Sequence, residues 1–315
     1  MTATQYQNQL HPKPTQINSP PYLGLVCVTI SKEVRFRSIT RSRYLKLSLK
    51  ERESVLRELY QDNLQRLDTA LSFCHKNNIR LYRMTSALFP MSDMEEGIGA
   101  NILEEMRGEL SKIGEKSEAL AIRMVLHPDQ FVVLSSDSAE VVQTSIKILA
   151  RHAYILDLLG LPRSPWSLMN IHGGKSQRSE QLVRVISELP PEIKNRLTLE
   201  NDEYAYGSPE ILAVCEQTGI PMVFDAHHQV CYENLDSYNH PSVASMFYAA
   251  QQTWANQGWQ LVHISNGETG FNHRKHSDLI TAMPQVYYQA PWIEVEAKCK
   301  EEAIAHLRSW WLMRE

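Results

Sequence analysis

The stretches 196-RLTLEND-202 and 221-PMVFDAHH-228 are built alike: a short apolar run stops abruptly at carboxylates or imidazoles. A parallel strand buried on both faces reads as such a continuous apolar run. When parallel strands close into a barrel, their C-terminal ends meet at one mouth, where functional groups collect. Glu200 stands at the end of the first run, and Asp225, His227 and His228 stand at the end of the second.

The same unit recurs on both sides. The segments 22-YLGLVCVTI-30, 79-IRLYRMT-85, AIRMVLHPDQF with its strand ending at His127, 167-SLMNIHGG-174, 259-WQLVHIS-265 and 292-WIEVEAK-298 read as six further strands. Helical segments separate them. Over 49–76, Val55, Leu56, Leu59, Leu64, Leu67 and Leu71 keep helical spacing behind a Ser48/Glu51 capping box. Further helices are expected over 99–115, from a cap at Asp137 to Gly160, over 178–189, over 241–257 and over 300–313. Another opens with Ser208 as cap and Pro209 as first helical residue, and closes at Gly219. A short helix is expected after the loop carrying His273 and His276. Eight alternations in about 290 residues, with no Pro/Gly/Ser-rich linker, predict an α/β chain. The predicted fold is a single-domain (β/α)8 TIM barrel over 21–315, preferred to a doubly wound open sheet. Residues 1–20 are polar, contain Pro12, Pro14 and Pro20, and predict a loose tail with no signal peptide.

The 315 residues are 43% hydrophobic and 22% charged, an ordinary globular composition. A net charge of -4 requires any nucleic-acid partner to meet a local basic patch. The segment 32–46 is such a patch: Lys32, Arg35, Arg37, Arg41, Arg43 and Lys46 are set against Glu33 alone. Its cations can track phosphates, while the interleaved Phe36 and Tyr44 stack on bases or pack down. Five single cysteines with no CxxC pair predict reduced, mostly buried thiols in the cytoplasm. No apolar run is long enough to predict a membrane span.

The barrel reading brings His127, His172, Glu200, Asp225, His228, His263 and Glu296 to one mouth, with His276 on the loop after the seventh strand. One such histidine alone is more readily a hydrogen-bonded core residue. Six successive strand ends carrying ionisable groups would cost many kcal/mol if packed together without a cation. Imidazole and carboxylate ligands without thiolate suit manganese, zinc or iron rather than calcium. The set is too large for one ion. Two or three divalent ions are expected, bridged by Glu200, with Glu200, Asp225, His228 and Glu296 as the catalytic core. Clustered ions acidify an attacking water and stabilise the leaving oxygen of a phosphoryl displacement, so the chemistry implied is phosphodiester hydrolysis. On an extended chain His227 and His228 point to opposite sides. His228 is taken to face the metals and His227 to pack. Glu294 reads as a deeper barrel-layer residue paired with a lysine or arginine, and Asn201, Asp202 and Lys298 as supports for the ligands. Pro128-Asp129-Gln130-Phe131 sets an amide beside an aromatic on a rigid turn. It can wedge into a duplex, or Phe131 can pack on the neighbouring helix. His75, His152, His240 and His306 read as surface or core residues.

Taken in order, LGLVCVTI with VRFRSIT, LYRMTSALFP, HPDQF, NIHGGK, LENDE, FDAHH, VHISNG with HSDLI, and IEVEAKCKEEAI resemble the UV damage endonuclease family over about residues 22–312. That family is similar in fold to endonuclease IV and the xylose isomerase-like barrels. The resemblance implies an excision-repair endonuclease acting on damaged double-stranded DNA. It nicks immediately 5′ to pyrimidine dimers and 6-4 photoproducts, leaving a 3′-hydroxyl and a 5′-phosphate. It also implies a three-metal site, usually manganese, with zinc or magnesium as alternatives. The ligands would be His127, His172, Glu200, Asp225, His228, His263, His276 and Glu296. Gln130 and Phe131 would enter the duplex opposite the lesion, and Arg35, Arg37, Arg41 and Arg43 are expected to hold the DNA. Three positions depart from the family pattern. Leu261 replaces a lysine that, once carboxylated, can bridge metals. Leu25 replaces a tyrosine, and Asp93 is the nearest polar residue to an expected histidine after the second strand. The choice between two and three ions stays open. A monomer is expected, in the cytoplasm and on the nucleoid when bound to DNA. Other readings of the same mouth are an abasic-site endonuclease, a sugar isomerase, and a damage-binding protein that does not cut.

Overall fold

The computed structural model describes residues 21–128 and 131–313. The expected tail, residues 1–20, lies outside them, as do Asp129 and Gln130. Eight strands alternate with helices along the chain: β1 (Tyr22–Val26), β2 (Leu81–Met84), β3 (Arg123–Leu126), β4 (Met169–His172), β5 (Leu197–Glu200), β6 (Met222–Asp225), β7 (Leu261–Ile264) and β8 (Trp292–Val295). They form a closed barrel in sequence order, and β8 pairs in parallel with β1. The helices are α1 (Arg41–Leu45), α2 (Leu49–Lys76), α3 (Ile98–Glu105), α4 (Arg107–Ala119), α5 (Ala139–Leu158), α6 (Ser179–Ser187), α7 (Pro191–Lys194), α8 (Ser208–Thr218), α9 (Ala226–Glu233), α10 (Pro241–Gln252) and α11 (Lys300–Leu307). Among the described residues no helix is long and apolar enough to cross a membrane.

The strands are shorter than their apolar runs. β1 stops at Val26 because Cys27 takes a left-handed backbone, with φ 63°. β6 stops at Asp225 because the next residue already starts a helix. The expected helix over 99–115 is two helices, broken at Met106. The cap of α5 is Ser138 rather than Asp137, whose carboxylate instead binds Lys175 and Arg178. The cap of α8 is Gly207, with Ser208 inside the first turn; the Glu210 carboxylate accepts from the Gly207 N–H at 3.3 Å. α10 ends at Gln252 rather than 257, and α11 runs into a wider π turn over Arg308–Leu312. The element expected after the His273–His276 loop is the 3-10 turn Gln285–Gln289. All five cysteines are free; Cys74 and Cys215 are buried, while the other three are half-buried.

The two ends of the barrel differ in kind. At the N-terminal end of β3, buried Arg123 donates to the carbonyls of Trp166, Trp259 and Pro165 at 2.8–2.9 Å. Its guanidinium also lies 5.0 Å from the Trp166 ring and 5.3 Å from the Trp292 ring. Above it, Leu81, Val125, Val223 and Leu261 fill an apolar layer. Each such buried side chain contributes about 1.5–3 kcal/mol. The polar residues gather at the opposite end, where the strands finish.

Candidate metal centre

Barrel register decides which strand ends meet. It lays His172 level with Glu200, Asp225 level with His263, and His263 level with Glu294. Buried Glu200 sits among them with its two oxygens facing different ways. Oε2 accepts from Asn170 Nδ2 at 2.5 Å and faces the Nε2 atoms of His127 and His172 at 3.7 and 3.9 Å. Oε1 faces His263 Nδ1 at 3.0 Å and His228 Nδ1 at 3.3 Å. Among the described residues, three groups bring potential ligand atoms within 4.8 Å of one another: His127, His172 and Glu200; Glu200, Asp225 and His228; and Asp225, His263 and Glu296. A carboxylate shared by two groups has the form of a bridging ligand.

Asp225 shows how the local fold builds the site. It ends β6 and caps α9, with Oδ1 accepting from the N–H groups of His227 and His228 at 2.6 and 2.8 Å. Asn201 holds its backbone from the side, exchanging two hydrogen bonds of 2.9 Å with the Asp225 N–H and carbonyl. Oδ2 of Asp225 is buried and finds no hydrogen-bond donor among the described residues. A buried carboxylate oxygen without a hydrogen bond is costly, and His228 Nδ1 stays 3.9 Å away, which leaves room for a closer cation. The donor set is imidazole and carboxylate, so these residues fit a divalent metal.

His227 and His228 are therefore in the first turn of a helix, not on an extended strand as expected. The helical turn still separates them. His227 turns to the Tyr238 hydroxyl at 2.7 Å and donates from Nε2 to the His273 carbonyl at 3.1 Å. His228 faces Glu200, and its Nδ1 donates to the Asn201 carbonyl at 2.9 Å, so that in the neutral ring, the form a metal would bind, Nε2 carries the lone pair. His127 is held alike, with Nδ1 donating to the Pro128 carbonyl at 3.0 Å.

The flank around β8 is arranged differently. Arg83, on β2, donates to Glu294 Oε2 at 2.9 Å and also binds Glu296. Arg83 is thus the basic partner expected for Glu294. His263 Nε2 lies 3.2 Å from the same Glu294 oxygen. Glu296 stands just past β8, its N–H bonded to the Ile264 carbonyl at 2.9 Å. His276, half-buried, approaches Glu296 at 3.9 Å.

Charges in this cluster hold one another. Burial disfavours the Glu200 carboxylate, but His263 and His172 outweigh it and keep it well below the usual range. Burial likewise opposes the Glu296 carboxylate, and Arg83 with His263 lowers it. Burial opposes the imidazoliums of His228 and His263, yet their carboxylate neighbours hold both well above the ordinary value. His172 goes the other way: burial lowers it and favours the neutral ligand form.

Other expected site residues are placed apart. Lys298 binds Glu268 instead of the ligands. Asp202 Oδ1 accepts from the N–H groups of Tyr204, Ala205 and Tyr206, so it shapes the loop after β5. Phe131 is 72% exposed at the rim of a cavity of about 530 Å³ that includes His127, His172, Glu200 and His228; its partner Gln130 lies outside the described residues. In the basic segment, Arg41 and Arg43 are exposed on α1 and Arg35 is half-buried. Arg37 binds Glu58 at 2.9 Å and Asp62 at 3.2 Å, so its charge is already matched within the chain. Phe36 and Tyr44 pack down against the core. Sequence reading missed Asn170 and Arg83. The period of two exposes Asn170, two residues before His172. Gly173 also matters to this loop, because a Cβ there would fall 2.3 Å from the Tyr206 ring.

The chain matches the family model of the UV-endonuclease UvdE over residues 21–314. It is 71% identical over 313 residues to a UV DNA damage endonuclease of Nostoc sp., covering 99% of this chain and 97% of that protein. It is 47% identical over 289 residues to a UV DNA damage endonuclease of Deinococcus radiodurans, covering 91% and 95%. Among solved structures, the crystal structure of SacUVDE superposes with a TM-score of 0.77 at 25% identity, covering 91% of this chain and 98% of that one. Endonuclease IV from Thermus thermophilus superposes with a TM-score of 0.58 at 14% identity over 92% and 98%, a likeness of fold alone.

Proposed function

The chain belongs to the UV-endonuclease UvdE family, and from that premise we propose that it is a metal-dependent DNA repair endonuclease. It nicks the phosphodiester immediately 5′ to UV photoproducts in double-stranded DNA and leaves a 3′-hydroxyl and a 5′-phosphate. The observation that carries this reading is the buried Glu200 carboxylate, turned both ways between two His-rich groups at an open barrel mouth.

His127 and His172 with Glu200 would hold one cation, Asp225 and His228 with Glu200 a second, and His263 with Glu296 and Asp225 would offer a third group. A divalent ion there, manganese foremost, would supply Lewis acidity toward an attacking water and the leaving 3′ oxygen. The protein's own side chains do the positioning. Asn170 fixes one oxygen of Glu200, and Asn201 fixes the backbone of Asp225. Arg83 orients Glu296. At the rim, Phe131 with Gln130 enters the duplex opposite the lesion, and the ring's exposure suits that task. Arg41 and Arg43 contact phosphates, which fixes register without reading sequence.

The test is nicking of a UV-irradiated oligonucleotide duplex with manganese, with and without a chelator. A single cut 5′ to the dimer, lost on chelation, is expected. Equal cutting of undamaged DNA, or a cut confined to an abasic-site duplex, refutes the proposal.

A further inference from the structure

A second exposed aromatic stands at the mouth. Tyr204, in the loop after β5, is 64% exposed, and the Arg274 guanidinium lies 3.5 Å from its ring centroid. The contact joins the loop after β5 to the loop after β7. Both loops are anchored from below. Asp202, itself buried, accepts from the Tyr204 N–H at 2.8 Å. The carbonyl of His273, next to Arg274, accepts from buried His227 at 3.1 Å. Glu203, the residue before Tyr204, lines the mouth cavity together with His228. The ring is thus held by its backbone next to a cavity-lining residue, one face lies against a cation, and most of its surface is open.

That geometry suits a planar, electron-rich group attached to a polyanion. A nucleobase stacks on an aromatic face whatever its identity, and a neighbouring guanidinium adds attraction to the same strand. Phe131 follows β3 and Tyr204 follows β5, with β4 between them in the ring, so the two rings stand on different loops. The two aromatics are therefore distinct contacts. Resting on the nuclease reading above, we propose that Tyr204, backed by Arg274, is a stacking platform for one unpaired nucleobase of the damaged strand.

The experiment places 2-aminopurine at successive positions around a dimer in a duplex with an uncleavable linkage 5′ to the lesion. Fluorescence and affinity are read with the full chain and manganese. Wild type should quench the probe at one position. Tyr204→Ala should abolish that quench and weaken binding about tenfold, Tyr204→Phe should restore both, and Arg274→Ala should give a partial loss. Unchanged quenching and affinity in Tyr204→Ala overturns the proposal. So does failure of Tyr204→Phe to restore them, since the ring is then not the agent. Failure of the nuclease reading appears separately, as absence of nicking by wild type.

Discussion

The two flanks of the barrel mouth meet the same difficulty, buried carboxylates, in different ways. Around β4 to β6, Glu200 and Asp225 face His127, His172 and His228, and Oδ2 of Asp225 has no donor among the described residues. Around β8 and β2, Arg83 already lies against both Glu294 and Glu296. A built-in guanidinium neutralises charge but fills the space with a fixed hydrogen-bond fork. An imidazole set leaves lone pairs for an exchangeable ion. His263 stands at the seam, with Glu200 3.0 Å from one ring nitrogen and Glu294 3.2 Å from the other.

The largest effect should come from the centre of the first flank. Glu200→Gln is expected to cut nicking on the order of 10³-fold, while affinity for damaged DNA stays within about tenfold because phosphate contacts carry it. Equal loss of both, measured by nicking and by anisotropy, would break the division between ligand flank and binding rim. Next comes Arg83→Met. Leaving Glu294 and Glu296 buried without their cation should cost the metal-free protein about 3–5 kcal/mol, and added manganese should recover part of it. Asp225→Asn should behave in the opposite sense, with a metal-free Tm near wild type and a reduced rise on adding manganese. Thermal melts with and without metal decide between them; the same response from both variants would erase the contrast.

The third effect concerns pH. Glu200, Glu294 and Glu296 titrate below their ordinary 4.5, so their stabilisation is present above that value and lost as pH falls through the folded values. His228 and His263 titrate above their ordinary 6.5, so theirs is complete below 6.5 and lost as pH rises. These five groups place the metal-free Tm optimum between pH 4.5 and 6.5, and His152, His172 and His227, lowered by burial and so destabilising as pH falls below 6.5, pull it toward the upper end of that window. Because protons compete with metal for His228, the rise in Tm on adding manganese should grow with pH. A rise independent of pH would remove His228 and His263 from the ligand set. The smallest effect separates neighbours. His228→Ala should lower the manganese bound per chain, read by elemental analysis. His227→Ala should leave it unchanged and cost about 1–3 kcal/mol, since the Tyr238 hydroxyl and the His273 carbonyl lose a partner.

Much of the barrel was legible because a buried parallel strand must be apolar on both faces, so its end shows wherever a carboxylate or histidine interrupts the run. Glu200, Asp225, His172 and His263 were found in that way. His228 was chosen over His227 on an extended-chain argument. The chain is helical there, because Asp225 caps the turn with its own carboxylate, an event that local spacing did not announce. Asn170 and Arg83 were missed for a related reason. Each sits one period of two inside the barrel, and its meaning depends on the strand beside it.

The sequence by itself determined the alternation of eight strands and helices, the family, and the inventory of imidazole and carboxylate groups at the strand ends. These follow from local apolar patterning, which each segment carries alone. Tertiary structure decided who faces whom. Closure of β8 onto β1 brings Arg83 to Glu294 across 211 residues of chain. Folding of two loops brings Tyr204 under Arg274. Register and closure are properties of the whole ring, set by packing between segments far apart in sequence, so no single stretch of residues encodes them.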